Sequence, residues 1–453
     1  MADEAPAAPR RQLTLFDSTS IIVGIIIGSS VYVTAPQIAK SVPDTLSFLG
    51  VWLAGGAFAL VGSLCYAELA TALPADGGDY VYLSRAYGRP VGFLFAWCEL
   101  WLVRPGAIGS MAFVFAQYAD HIAPLGRLSP VIYAAGSVIL LTGTNLLGVA
   151  TGKWTQNALT LIKLAGLATV IVIGFSVAAP ADMKLTADKA SEPNWGFAMI
   201  LILYAYGGWN DMAFVSAEVR NPNKNILRAL LLGTITVTAI YLLVNGAFIH
   251  ALGLSGVRTA DAVAADVTRL GLGELGDKVV SALVAISTLG AINGMTFTGA
   301  RIYYALGKQH ALFRAFGVWS AQRDAPVPAL LLQGAITAIL IVAFGWSEGT
   351  LSREGFERMA KFTFPAFWLF LSLVSLAVPV LRWREPELPR PCRTPFVGAT
   401  SLAFFAGTAF MLRESYNWAL KGGEPQALWT LAAFAAGVIA LAVDRLLRGA
   451  AAP

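Results

Sequence analysis

Residues 129 to 149 and 327 to 346 each run for about twenty positions without a charged side chain, the length a helix needs to cross the hydrocarbon core of a bilayer. Comparable runs recur along the whole chain. In the first half they cover 14 to 39, 47 to 72, 90 to 119, 129 to 149 and 154 to 180. The second half has 195 to 218, 226 to 252, 276 to 306, 327 to 346 and 358 to 382, then 397 to 413 and 426 to 447. Backbone polar groups in lipid must be satisfied inside each segment, so runs of this length become helices. The pattern predicts an all-α integral membrane protein with 12 transmembrane helices. Composition agrees: charged residues are 13% of the chain, against about 25% in soluble domains.

The remaining charge is gathered in short blocks between the runs. The net charge of +5 is divided among many loops rather than forming one stripe, which excludes a nucleic-acid reading. Its meaning is topological. An even number of spans puts both termini on one face, and the loops of that face, with Arg10, Arg11, Arg85, Arg89, Arg382, Arg384, Arg390 and Arg393 among them, hold the larger share of Lys and Arg. Both termini are therefore expected in the cytoplasm, at the cell (inner) membrane. Residues 1 to 13 form a short polar tail without the apolar core of a cleaved signal, and 448 to 453 form a second tail. Cys65, Cys98 and Cys392 have neither metal-knuckle nor disulfide-framework spacing. No disulfide, metal or cofactor is expected.

Two of the runs are broken. In the first, Gly24, Gly28, Ser29, Ser30 and Pro36 stand where an ordinary spanning helix would carry Leu, Ile or Ala. In the sixth, Gly207 and Gly208 are followed at once by Trp209, Asn210 and Asp211. Each break opens a set of five spans, 14 to 180 and 195 to 382, and five is odd, so the second set enters from the opposite face. Residues 397 to 447 add two helices outside the repeat. Paired, Gly-interrupted segments at corresponding positions of two inverted sets point to a transporter binding site at their interface. A half-helix N-terminus offers unpaired N–H groups and partial positive charge to a carboxylate, while unwound carbonyls accept from an ammonium. An α-amino acid carries both groups. The alternative is that the glycines only permit close helix packing.

The residues around the breaks resemble a known family. Gly24-Ile25-Ile26-Ile27-Gly28-Ser29-Ser30-Val31-Tyr32 is similar to the GxIIGSGIF signature of the amino acid-polyamine-organocation (APC) superfamily, whose fold is that of LeuT. Tyr206-Gly207-Gly208-Trp209-Asn210 with Glu218-Val219-Arg220-Asn221-Pro222 resembles the sixth helix of its L-type amino acid transporter (LAT) family. Trp97 to Pro105 resembles the third helix, Gln156-Asn157 with Lys163-Leu164 the fifth, and Asn293-Gly294 with Phe297, Thr298 and Arg301 the eighth. The likeness covers residues 13 to 310 well and the rest by topology. It implies a 5+5 inverted repeat and a sodium-independent exchanger of neutral L-amino acids.

By resemblance, the substrate carboxylate meets N–H groups around Gly28, Ser29, Ser30 and Val31. The ammonium meets carbonyls of Ile26, Tyr204, Ala205 and Gly207. Tyr204 stands where the family has an aromatic gate; read by itself, an aromatic in a span is more often packing. The family has glycine where this chain has Ser30, which points to smaller substrates. Lys163 either snorkels to the interface or, as the resemblance implies, is a fixed cation where sodium-coupled relatives hold sodium. Asn210 and Asn293 are candidate supports, and an interhelical hydrogen bond explains Asn293 equally well. Glu99 and Arg104, five residues apart, fall about 140° apart on an α-helix and are not expected to pair. Asp211 is expected to cap the second half-helix.

Other classes fit less well. His121, His250 and His310 are scattered, and no HExxH, nucleophile elbow or phosphate loop occurs, so no enzyme is expected. A proton-coupled amino acid or polyamine symporter of the same superfamily is the alternative, and a non-transporting nutrient receptor ranks below it. Animal members of the family join a single-span glycoprotein through a cysteine between spans three and four. The corresponding loop, residues 120 to 128, has none. A monomer without a disulfide-linked heavy-chain subunit is therefore expected, with an amino acid and the lipid bilayer as its partners.

Overall fold

The computed structural model describes residues 8–178, 193–345, 352–420 and 426–450. The outermost tail residues, the last two residues of the expected fifth span, the last residue of the expected ninth and the loop lysines Lys184, Lys189 and Lys421 lie outside them. Sixteen α-helices are present among the described residues. They are α1 (Leu15–Ile26), α2 (Ser30–Ser41), α3 (Thr45–Ala72), α4 (Asp79–Tyr87), α5 (Arg89–Cys98), α6 (Arg104–Ile122), α7 (Ser129–Leu146) and α8 (Val149–Ser176). Then come α9 (Trp195–Ala205), α10 (Pro222–Thr259), α11 (Val263–Leu272), α12 (Leu275–Gln309), α13 (Val327–Gly345), α14 (Ser352–Arg384), α15 (Val397–Leu420) and α16 (Gln426–Ala450). The described residues hold no strands, only isolated bridges at Leu13 with Val219 and Ser320 with Ala325.

Among the described residues, nine continuous helical stretches are each long and apolar enough to cross a membrane, and α1 with α2, bent by 49°, makes a tenth. The other two expected spans are not among them. Residues 195–218 fail as a single helix because α9 stops at Ala205 and a 3-10 segment, Trp209–Glu218, follows. α15 is long enough, but Arg413 and Glu414 and several small polar residues dilute its apolar character. The outward faces are apolar, with Ile139, Trp154, Ile339 and Ile439 all more than half exposed. In water that surface would be a liability; against lipid tails it is at no disadvantage. The chain is a multi-pass membrane protein.

Polar and charged residues collect inside. α1 lies at the centre, packed on α8, α10 and α12. One stripe of α8, at positions 153, 157, 160 and 163, turns inward along α1. Lys153 pairs with Asp17 at 3.3 Å, Asn157 donates to Asp17 at 2.7 Å, and Thr160 donates to the Ser20 carbonyl at 3.1 Å. That spacing of three and four is one face of a helix. At its start, α1 is fixed by a capping box in which Thr14 and Asp17 each bond the other's backbone.

Candidate functional site at the two helix breaks

α1 and α2 have twelve residues each, about 18 Å apiece, so the interruption between them falls near the middle of a 30 Å hydrocarbon layer. At the break, Ile27 leaves helical geometry and Ser29 becomes the N-cap of α2 without a side-chain capping bond. The first amides of α2, at Ser30 and Val31, have no intrahelical acceptor. The freed carbonyls of α1 are met from two sides. Lys163 Nζ donates to the Gly24 carbonyl at 2.7 Å and to that of Ile27, and Ser287 Oγ lies 2.9 Å from the carbonyls of Ile27 and Gly28. Lys163 is fully buried. Its ammonium thus turns to the break and does not snorkel.

The second break lies against the first. Gly208 adopts φ +112°, in the left-handed region, and a Cβ placed there would come 2.6 Å from Ile25 Cγ2. Glycine is required on both counts, backbone and space. Tyr206 and Gly207 turn back onto the carbonyls of Ile202 and Tyr204, which ends α9. The Tyr241 hydroxyl of α10 lies 3.1 Å from both the Ile26 and the Ala205 carbonyls, so one side chain touches the unwound end of each broken helix. Ser30 Oγ is 3.5 Å from the same Ala205 carbonyl and 3.4 Å from Tyr241 Oη. Ile26, Ser29, Ser30, Val31 and Ala205 are buried, and Gly28 lies among them.

The remaining candidates fall around this core. Tyr204 is half-buried, its ring 5.4 Å from that of Phe364 and 6.4 Å from that of Phe356, both on α14. Asn210 is buried and lines a small cavity with Gly207, Trp209 and Trp368. Asn293 does not reach either break. It bonds Asn145 at 2.9 Å, Gln156 at 2.9 Å and the Gly152 carbonyl at 3.2 Å, which is the interhelical alternative.

Two expectations about charged residues are corrected. Between α5 and α6, Glu99–Val103 forms a π-turn in which the Arg104 N–H bonds the Glu99 carbonyl. An i→i+5 turn brings residues five apart onto one face, and Arg104 Nε sits 3.3 Å from Glu99 Oε2. The 140° separation assumed an uninterrupted α-helix. Asp211 is no helix cap either. It accepts from Arg104 Nη1 at 2.6 Å and from Thr298 Oγ1 at 2.8 Å, and the helix it was expected to cap is a 3-10 segment. A second buried pair, Arg301 with Glu218 at 2.7 Å, closes the far end of that segment, where the Gln12 and Leu13 amides bond the Glu218 carbonyl. Sequence reasoning missed Tyr241 and Ser287 altogether. Tyr241 stands in an apolar run and Ser287 beside Thr288 in another, and nothing local marks which way either faces.

The amino acid permease family profile matches residues 13–441. Human b(0,+)-type amino acid transporter 1 is 31% identical over 404 residues, covering 86% of this chain and 79% of the relative. Human large neutral amino acids transporter small subunit 2 is 29% identical over 403 residues, covering 85% and 72%. The second name overturns the expectation of a chain without a partner subunit, because a relative matched over 85% of this chain and 72% of its own length is by name one subunit of an assembly. The missing cysteine in residues 120 to 128 removes only a disulfide at that place, whereas subunits associate through buried noncovalent area. From the broken-helix geometry, the family match and these relatives together, the chain belongs to the amino acid permease family of the APC superfamily, within its LAT branch.

Proposed function

We propose that the chain is a sodium-independent exchanger of neutral L-amino acids that works by alternating access. The substrate lies between the unwound parts of the first and sixth spans. Its carboxylate takes the free amides of Ser29, Ser30 and Val31 beside Gly28, where the α2 dipole favours an anion. Its ammonium takes carbonyls of Ile26, Tyr204, Ala205 and Gly207. The Tyr241 hydroxyl already lies against two of these, and each carbonyl oxygen has a second lone pair. Tyr204 covers the ligand, and Lys163 stands as the fixed cation that replaces sodium.

The observation that carries this reading is the juxtaposition of the two breaks, Gly208 on Ile25 and Tyr241 on both freed carbonyls. The name of the second relative, which specifies large neutral amino acids, supports the neutral preference. The full arrangement in this proposal is 12 spans in two inverted sets, 14–180 and 195–382, followed by 397–447. Both termini face the cytoplasm at the cell membrane. The cavity beside Gly207 and Asn210 measures about 10 Å³, room for a single water.

The test is exchange by purified protein in liposomes. Labelled neutral amino acid should enter vesicles preloaded with unlabelled amino acid in sodium-free buffer and should not enter empty ones. Uptake that demands a sodium gradient, or binding without entry, would end the proposal. A pH gradient that drives uptake into empty vesicles would instead establish proton symport, the second reading, which the buried carboxyls Glu99 and Asp211 favour.

A further inference from the structure

Asp76 and Asp79, beside the N-terminus of the short helix α4, are two acids that the exchange reading does not use. Both lie between the spans formed by α3 and by α5 with α6. Asp79 is 3% exposed. Its Oδ2 accepts from the Tyr66 hydroxyl at 2.8 Å, and its Oδ1 is buried without a partner. Asp76 is half-buried, and its Oδ1 is likewise buried without a partner.

Neither acid forms an ion pair among the described residues, although cations stand near both. Asp79 is faced by Tyr66 of α3, Tyr82 of its own helix, Glu99 and Arg104 of the third span, and Asp211 of the 3-10 segment. Three carboxyls there share one guanidinium, and Asp211 takes two of its N–H groups. α14 contributes only at the far end of α4, where Arg384 bonds the Ala86 carbonyl and Glu385 pairs with Arg85. Asp76 is faced by Glu218 of the 3-10 segment and by Arg301, Lys308 and Tyr304 of α12. Arg301 is committed to Glu218. Burial therefore pushes Asp79 well above the ordinary carboxylate range, and burial with the Glu218 charge pushes Asp76 up to about 7.

The same segment is fastened to the moving part of the proposed site. The Gly77 N–H donates to the Phe214 carbonyl at 3.2 Å, and Ser216 Oγ donates to the Ala75 carbonyl at 3.1 Å. Gly78, at φ +41°, packs so closely that a Cβ would come 2.7 Å from the Ala213 carbonyl carbon. An ionised carboxylate buried in that seam without a directly paired counter-ion is disfavoured; opening the seam to water removes the penalty.

We propose that Asp76 and Asp79 are proton-binding residues of a latch, residues 75–79, that holds the 3-10 half of the sixth span while both carboxyls are protonated and releases it as they ionise. The closed seam then binds more protons than the open one, so raising the pH favours opening. The same sign applies to stability. An acid whose folded-state affinity for protons is raised stabilises the fold at low pH, and that contribution is lost as pH rises from the ordinary carboxylate range through the raised value.

Only the flux arm of the test rests on the exchange reading. In detergent, the melting temperature of the unmodified protein should fall between about pH 5 and pH 8, and that of Asp76→Asn/Asp79→Asn should stay level across the same range. In liposomes, exchange by the unmodified protein should change by about threefold over that range, and the double variant should flatten the profile. A level melting profile in the unmodified protein, or a wild-type profile in the double variant, overturns the latch. Absent exchange with intact pH-dependent melting counts against the transport reading and leaves the latch supported. If the double variant does not fold, Tyr66→Phe decides. It removes the donor that favours ionised Asp79, so the midpoint of the melting profile should move to higher pH, and an unmoved midpoint overturns the assignment of Asp79.

Discussion

Arg104 Nη1 lies 2.6 Å from Asp211 Oδ2, joining the third span to the segment after the second break where the two residues are only 4% and 5% exposed. Glu99 sits on the other edge of the guanidinium, and Phe214 lies beneath it at 5.1 Å. Removing one member of a buried pair leaves the other charge uncompensated. Arg104→Ala should cost about 3–5 kcal/mol of stability. Arg104→Lys should recover only part of that, because an ammonium cannot contact both carboxylates in the same plane. Melting curves of the purified variants check both statements, and an unshifted Arg104→Ala would show that the pair does not support the fold.

Tyr241→Phe keeps the ring and deletes only the hydroxyl that contacts Ile26 and Ala205. Because the two carbonyls belong to different broken helices, the expected result is a loss of about 1–3 kcal/mol, seen as a raised KM for exchange. A wild-type KM would mean the hydroxyl only fills space.

Lys163→Met preserves much of the side-chain length but takes the ammonium donor from the Gly24 carbonyl and leaves the Ile27 carbonyl with Ser287 alone. Exchange should fall by about tenfold or more while the protein still inserts and purifies, since an unmet buried acceptor costs about 1–3 kcal/mol. Initial rates normalised to protein in the vesicles provide the measurement. Full activity would remove Lys163 from the support of the break.

Two glycines against Ile25 separate backbone strain from crowding. At Gly208 both apply, with φ at +112° and a Cβ 2.6 Å from Ile25 Cγ2; at Gly294 there is crowding alone, chiefly Ile25 Cγ1 at 2.4 Å with Gln156 Nε2 next at 3.3 Å. Gly294→Ala should be rescued in melting temperature by Ile25→Ala, which removes the Cγ1 atom in the way. Gly208→Ala should not be, because about 1–3 kcal/mol of backbone strain stays. Equal rescue would place the whole cost in packing.

Ser30→Gly restores the residue usual in the LAT pattern and removes the hydroxyl near Ala205 and Tyr241. A competition panel of neutral amino acids should show larger side chains gaining relative to small ones, by about a few fold. An unchanged order would make Ser30 a tolerated substitution whose backbone alone matters.

The two breaks were legible because glycine, serine and proline in an apolar run are costly unless backbone exposure is needed. The polar stripe of α8 was legible only as separate residues, although its spacing of three and four already puts them on one face. Glu99 and Arg104 were misread because the π-turn between them changes the period on which such arguments depend. Asp211 was assigned a local role, as capping residues usually have, when its partners lie on α6 and α12.

What the sequence determined by itself was the membrane-spanning class, most of the spans, the two interruptions and the family, since each depends on composition and spacing over a few residues. The tertiary structure decided which polar groups meet: Lys163 at the first break, Tyr241 across both, Arg104 between two carboxylates, and Asp76 and Asp79 in a seam with few counter-ions. The reason is physical. Lipid requires every buried polar group to find its partner within the protein, but that partner can lie on any helix, and only packing selects which one.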